Sequence, residues 1–169
     1  MSTVKETIKN SIELNALSKN VTDLLISSNS CNELKSLNLN DYRCLKSIEI
    51  GDDCFRSANE FVINGLWYLK SLKIGKNSFT HLKSNDEWDK NKVNNGNRSF
   101  HISNCDELES IEIGRYSFSD YGGGFELFNL PKLTTLKVDS HNFCYSSFEI
   151  RGMIELIMLL NRSSSFAID

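Results

Sequence analysis

The chain has 169 residues, enough for one domain with a sizeable core, and its 40% hydrophobic and 24% charged content is that of an ordinary soluble globular protein. A net charge of −3, from 19 Lys+Arg against 22 Asp+Glu, carries no electrostatic footprint of a nucleic-acid binder, and no lysine or arginine block marks an anionic membrane as partner. Five cysteines (Cys31, Cys44, Cys54, Cys105 and Cys144) without a CxxC pair argue against a disulfide framework or a zinc site and for free thiols in a reducing compartment.

The first elements in chain order read as a helix over residues 2–20. Thr3-x-x-Glu6 has the form of a capping box, and Val4, Ile8 and Ile12 share one face at i, i+4 spacing, with Leu17, Val21 and Leu24 continuing it. Residues 1–23 are therefore expected to form a helical cap on the open end of a repeat array; a partner-binding amphipathic helix is the alternative. The segment lacks the apolar stretch of a signal peptide. The longest apolar run, MIELIMLL at 153–160, is too short to span a bilayer and contains Glu155. These features predict a cytoplasmic protein with no membrane partner.

From residue 24 onward one pattern returns. LKSIEIG at 45–51 comes back as LKSLKIG at 69–75, LESIEIG at 108–114 and LTTLKVD at 133–139. Each is the second half of a unit F-x-I-x-x-L-x-x-L-x-x-I-x-I. Phe61, Ile63, Leu66, Leu69, Leu72 and Ile74 define it; Phe100, Ile102, Cys105, Leu108, Ile111 and Ile113 repeat it, as do Phe125, Leu127, Leu130, Leu133, Leu136 and Val138. A last copy, Phe148, Ile150, Met153, Leu156 and Leu159, breaks at Asn161. Upstream, Leu37, Leu39, Tyr42, Leu45, Ile48 and Ile50 fit, and an overlapping copy runs Ile26, Cys31, Leu34, Leu37 and Leu39 with Ser28 as the exception.

The spacing has a physical meaning. F-x-I and L/I-x-I each put two apolar side chains on one face of an extended strand, while the leucines between them turn inward as the chain bends. One unit cannot bury its own apolar face, so coils must stack and share a continuous column. The expected fold is a mainly β repeat solenoid with parallel strands over 24–169. Four residues beyond Gly51, Gly75, Gly114 and Asp139 stand Phe55, Phe79, Phe118 and Phe143, which predicts a phenylalanine ladder at a bend. The glycines are expected to relieve backbone strain there, with Asp139 tolerable at a positive φ.

The stretch from these positions to the next strand is short except between Gly75 and Phe100, so length variation is confined to one edge, where binding loops of such arrays gather. The insertion, residues 80–99, is polar and carries an Asn95-Gly96 turn signal. Its Trp88 stands among Asp86, Glu87, Asp89 and Lys90, an aromatic anchor among charges of the kind found at interaction hot spots; Tyr116 and Tyr121 are further candidates on the same edge. The competing reading is a tolerated insertion whose tryptophan folds back onto the array.

Other signals read as structural. The outward row Asn38, Glu49, Lys73, Glu112, Lys137, beside Ser36, Ser47, Ser71, Ser110 and Thr135, is expected to be a self-satisfied surface ladder. Gly122, Gly123 and Gly124 precede no GK[ST] and read as a flexible connection. His101 with Cys105 and His141 with Cys144 have the spacing of metal half-sites, but Cys105 takes a core leucine position. No metal, cofactor or catalytic set is expected. At the end of the chain Ile154, Ile157 and Leu160 take positions held elsewhere by Lys, Glu or Ser, which predicts a surface for pairing with a partner or a second copy.

L-x-x-[LI]-x-[IL], recurring at about 23–25 residues with a Phe closing the loop, resembles a leucine-rich repeat. Ser78-Phe79 and Ser117-Phe118, with Leu66 and Cys105, most resemble the BspA-like (Treponema-type) subclass, over residues 24–166. The asparagine of better-known leucine-rich repeats is present only loosely, as Asn64, Asn104 and Asn129 one or two places before the Leu/Cys position, and the insertion is atypical. The resemblance implies a right-handed leucine-rich-repeat solenoid that binds proteins or surfaces. The expected function is a non-catalytic module that holds a protein partner at its loop edge. The alternative is a structural spacer or piece of a longer array, adhesin-like, acting or self-associating through its C-terminal coil.

Overall fold

The computed structural model describes residues 2–81, 97–144 and 146–151, and residues 157–160 through their backbone. Trp88 with Asp86, Glu87, Asp89 and Lys90 lies outside the described residues. The elements run β1 (Lys5–Ile8), α1 (Ser11–Asn15), β2 (Asp23–Ile26), β3 (Ser36–Asn38), β4 (Ser47–Ile50), β5 (Glu60–Asn64), β6 (Ser71–Ile74), β7 (Ser99–Ser103), β8 (Ser110–Ile113), β9 (Gly124–Phe128), β10 (Thr135–Val138), β11 (Phe148–Arg151) and β12 (Ile157–Leu160).

They form two parallel sheets, one ordered β1-β2-β4-β6-β8-β10-β12 and the other β11-β9-β7-β5-β3. From β2 onward the chain visits the sheets in turn. Each repeat therefore lays its L/I-x-I strand on the first sheet and its F-x-I strand on the second, in register with the repeat before: Ile26, Ile50, Ile74, Ile113 and Val138 are successive partners. Every repeat position from Phe61 to Ile74, Phe100 to Ile113 and Phe125 to Val138 named above as core is buried, at no more than 3% exposure. Two apolar residues per strand, one repeat above another, make a core that neither sheet could close alone.

The N-terminal helix expected over 2–20 does not form. Lys5–Ile8 instead pairs with β2, Ile8 opposite Ile26, and the helical part shrinks to Ser11–Asn15. Ile8 is buried but Ile12 is 79% exposed, so the i, i+4 face does not exist. The helix starts at Asn10 rather than at Thr3: the Asn10 side chain accepts from the Glu13 N–H (2.9 Å), and the Glu13 carboxylate accepts from the Lys9 N–H (2.7 Å). Pairing wins over helix propensity because β2 would otherwise present a row of open N–H and C=O groups.

Two register assignments also change. Residues 36–38 belong to the second sheet, with Ser36 opposite Glu60 and Asn38 opposite Val62; in the first-sheet columns Asp23 and Leu25 stand next to Ser47 and Glu49. The overlap of two copies around Leu37 concealed this. At the far end Leu160 pairs with Val138 and Leu159 with Lys137, one residue out of step with the spacing that put Leu159 inside and Leu160 outside.

The bends carry the unusual backbone. Cys31, Phe55, Phe79, Phe118 and Phe143 all lie in the left-handed region (φ 50–59), as do Asn29, Asp53, Asn77, Tyr116 and His141 two residues before them. A bulky residue there costs about 1–2 kcal/mol, against about 1.5–3 kcal/mol for burying a large apolar side chain. Burial wins at each of the four phenylalanines. Their rings stack at 4.9, 4.7 and 4.9 Å, and meet edge-on a second stack of Phe61, Phe100 and Phe125 at 5.0 Å spacing.

The residue before each phenylalanine explains the Ser-Phe pairs. Ser78 donates its hydroxyl to Gly51 O (2.9 Å) and accepts the Cys54 N–H (3.1 Å); Ser117 donates to Gly75 O (2.6 Å) and accepts the Ser78 N–H (3.0 Å). Cys54 occupies the same column, its thiol donating to Ser27 O at 3.2 Å. Gly51, Gly75 and Gly114 are not at positive φ, contrary to expectation; they are glycines because backbone lies on backbone. A Cβ on Gly75 would stand 2.6 Å from the Gly51 carbonyl carbon, and one on Gly114 2.7 Å from that of Gly75.

Candidate functional site

The bend edge, where the insertion leaves the array, is closed by a polar cluster that the sequence pattern did not reveal. The inserted coil separates Ser78 from Ser117 by 39 residues, where the preceding coils repeat at 24. Its first root is tied to the next bend: Thr80 and Ser119 share a hydroxyl hydrogen bond of 2.7 Å, and the His81 N–H donates to Asp120 Oδ2 at 3.2 Å. Beneath them Arg98 is fully buried. It pairs with Asp120 and donates to the Ala58 and Arg56 carbonyls, with 3.1 Å from Nε to Ala58 O and 3.0 Å from Nη2 to Arg56 O.

Tyr121 completes this cluster, which corrects its assignment as a contact residue. It is wholly buried, its hydroxyl donates to Ala58 O at 2.8 Å, and Arg98 lies 4.8 Å over its ring. Burial pushes its phenol well above the ordinary range. Arg98 and Tyr121 together satisfy the Ala58 carbonyl. His81 is held below its ordinary value, by desolvation first and by Arg98 second. Tyr116 is half-buried, stacked on His141 at 4.6 Å, with the Arg115 guanidinium 4.8 Å from its ring. Among the described residues the bend edge thus turns its phenylalanines, Tyr121 and the Arg98–Asp120 pair inward.

The opposite edge, where each F-x-I strand turns into the next L/I-x-I strand, does the reverse. Leu66 and Leu69 are buried, and the two residues between them, Trp67 and Tyr68, are 56% and 54% exposed. In the same place other coils carry Arg43-Cys44, Asp106-Glu107 and Pro131-Lys132. The turn is held in position by Gly65, at φ 70, whose carbonyl accepts from Arg43 Nη1 (2.5 Å); Arg43 also lies 5.6 Å from the Trp67 ring. An asparagine ladder ties the neighbouring turns: Asn104 Nδ2 donates to Asn64 Oδ1 (3.0 Å) and Asn129 Nδ2 to Asn104 Oδ1 (2.9 Å). These are the loosely placed asparagines of the sequence, and Asn104 and Asn129 sit at φ 53, the counterpart of Gly65.

Beside the aromatic pair lies an open hollow of about 550 Å³ lined by Lys46, Trp67, Tyr68, Lys70, Asp106 and Glu107. Glu107 is engaged by Lys132 at 2.5 Å, which holds its carboxyl below the ordinary value. Trp67 and Tyr68 are the residues that sequence reasoning missed. The signal was available: both fall at x-x between inward leucines, where an aromatic pair has no core to fill.

The sheet faces are quieter. Lys73 pairs with Glu49 at 3.2 Å, and Ser47 donates to Asp23 Oδ1 at 2.7 Å. His101 projects from the second sheet with Nδ1 2.9 Å from Glu126 Oε2, while Cys105, behind it, is buried and donates to Ser103 O. Among the described residues no group of three or more His, Cys, Asp or Glu is placed to hold a metal ion, and no helix is long and apolar enough to cross a membrane. Burial pushes the Cys31 and Cys105 thiols up to about 11. Compared with family models, curated proteins and solved structures, the chain matches none.

Proposed function

We propose that this chain is a right-handed leucine-rich-repeat solenoid of the BspA-like kind, working in the cytoplasm as a non-catalytic protein-binding module. Three features support the fold: strands that alternate between two parallel sheets, a 24-residue repeat, and the Ser-Phe bends with their hydroxyl ladder. Free thiols suit a reducing compartment. The observation that carries the function is the pair Trp67-Tyr68, large aromatic surface held outward on a rigid turn where the repeat requires no apolar group. Recognition at the insertion itself remains part of the proposal, since Trp88 lies outside the described residues.

Site-specific photo-cross-linking in the source cell tests this. A cross-linking residue at position 68 of the full chain should yield a discrete protein adduct, and one at position 73 on the first sheet should not. An adduct from position 88 alone would move recognition to the insertion; none from any position would end the binding-module reading. A spacer role is favoured by one observation: Phe148 and Ile150, the inward row of the outermost strand of the second sheet, are only half-buried. Sedimentation of Phe148→Glu against the parent chain tests that reading, and a monomer in both at all concentrations would end it.

A further inference from the structure

The turn edge holds a pair of residues with a reaction of their own. Asn64-Gly65 is an asparagine followed by glycine, the order in which a side-chain amide is most open to attack by the next backbone nitrogen, because glycine puts no side chain in the way. The reaction needs no partner but water. The Gly65 nitrogen bonds to Asn64 Cγ, and the side-chain nitrogen leaves as ammonia with the proton that Gly65 gives up. Water then opens the cyclic imide at one carbonyl or the other. The product is aspartate, or isoaspartate with the main chain rerouted through Cβ.

The fold holds both reacting groups apart. Gly65 is buried, and its N–H donates to Ser103 O at 3.0 Å. Asn64 is exposed, yet its Oδ1 accepts from Asn104 Nδ2 at 3.0 Å and from Ser103 Oγ at 3.3 Å. Its N–H is taken by Asn40 Oδ1 at 2.8 Å. Attacking nitrogen and attacked amide are thus bonded to the neighbouring coil rather than turned toward each other, and the attack has to break those bonds first. Of the three asparagines in this ladder only Asn64 precedes a glycine; Asn104 precedes Cys105 and Asn129 precedes Leu130, whose side chains stand beside the nitrogen that would attack.

From this we infer that Asn64-Gly65 is a deamidation site gated by the stacking of β5 on β7: it reacts when the turn leaves the neighbouring coil and is protected while the turn stays. Local opening sets the rate. The consequence falls on the turn itself. Isoaspartate adds one main-chain carbon between Ile63 and Leu66, both fully buried, so the two cannot keep their present register in the column. Trp67 and Tyr68 follow directly, so a transient opening becomes a permanent change in how the exposed aromatic pair is held. This holds whether or not the pair meets a partner.

The test is ageing of the full chain in mildly alkaline buffer, folded and in concentrated guanidinium chloride, with peptide mapping that separates asparagine, aspartate and isoaspartate at position 64. A second chain carries Asn104→Gly, which removes the donor to Asn64 Oδ1 while glycine takes φ 53 without strain; circular dichroism checks that it keeps the parent fold. In denaturant Asn64 should convert, mostly to isoaspartate, and well ahead of Asn104 and Asn129. In the folded parent its conversion should be at least about tenfold slower, and the folded Asn104→Gly chain should fall between. Equal rates at Asn64 in the folded and denatured parent overturn the gate. No conversion in denaturant, or conversion of Asn104 and Asn129 as fast as Asn64, overturns the site. A folded Asn104→Gly chain that reacts no faster than the parent overturns the part given to the asparagine ladder.

Discussion

The two edges of the molecule treat the same kinds of residue in opposite ways. At the bend edge Arg98, Asp120 and Tyr121 are buried in a mutually bonded cluster on the Ala58 carbonyl. At the turn edge Arg43, Asp106, Trp67 and Tyr68 stand in solvent with a hollow between them. The bend edge has the variable length, so it is where a repeat pattern directs attention. Yet its described residues use their polar groups to keep the array closed around an interrupted coil. Length variation shows where a repeat tolerates change; exposed aromatic surface without a packing role shows where it can meet another molecule.

The contrast breaks most violently at the buried pair. Arg98→Met should cost about 3–5 kcal/mol by leaving the Asp120 carboxylate uncompensated inside, and Arg98→Met/Asp120→Asn should recover part of it. Arg43→Met at the other edge should stay within about 1 kcal/mol. Chemical denaturation of the three variants measures this, and equal losses at Arg98 and Arg43 would mean that the bend edge is as open as the turn edge. Leu72→Asp belongs to the same class, placing a charge in the column, whereas Lys73→Asp next to it should be tolerated within about 1 kcal/mol.

The bends themselves come next. Phe79→Ala should lose about 3–5 kcal/mol of ring burial. Phe79→Gly should lose less than the alanine variant, by about 0.5–1 kcal/mol, because glycine takes φ 57 without strain. At an ordinary core site with negative φ the order is reversed. Finding alanine the better replacement would remove the left-handed bend from the account of why Ser-Phe recurs.

The inward positions were legible because a fixed spacing leaves few ways to fold: Leu69, Leu72 and Ile74 point inside for the same reason that Leu108, Ile111 and Ile113 do. What stayed hidden has three physical sources. Val4, Ile8 and Ile12 satisfy a helical period, but the open edge of β2 decides their structure, and an edge is not written in the residues that cover it. Gly51, Gly75 and Gly114 looked like sites of positive φ, while the bends put positive φ at the phenylalanines and at the residues two places before them. Arg98 falls within the polar insertion 80–99 in the sequence, and only the three-dimensional neighbours Ala58 and Asp120 make it a core group. Trp67 and Tyr68 were readable and were passed over, because they lie inside a well-matched repeat rather than in its gap.

Thiol chemistry sharpens the same division of inside from outside. With pKa near 11, Cys31 and Cys105 expose very little thiolate at pH 8, about one part in a thousand against roughly a quarter for a free cysteine. Brief labelling of the folded chain with iodoacetamide at pH 8 should modify the half-exposed Cys44 before either of them, and raising the pH toward 11 should narrow the gap. Early modification of Cys105 would place the thiol outside the column and reopen the path of the turn that follows β7.

The smallest expected difference separates the edges most cleanly, because it uses one substitution on one residue type. Tyr121→Phe removes a hydroxyl that donates to Ala58 O in a buried site, and should cost about 1 kcal/mol or somewhat more, since Ala58 O keeps Arg98 as a donor. Tyr68→Phe removes a hydroxyl from a side chain that is 54% exposed, and should change stability by less than about 0.5 kcal/mol. Urea midpoints at constant slope resolve that gap. If Tyr68→Phe proves the costlier change, its hydroxyl is bonded within the fold and the turn edge is less available to a partner than its exposure implies. If Tyr121→Phe alone is costly, the ring of Tyr68 is free of structural duty, and its conformation on the turn is set by Leu66 and Leu69 beneath it, leaving its outer surface to whatever the chain binds.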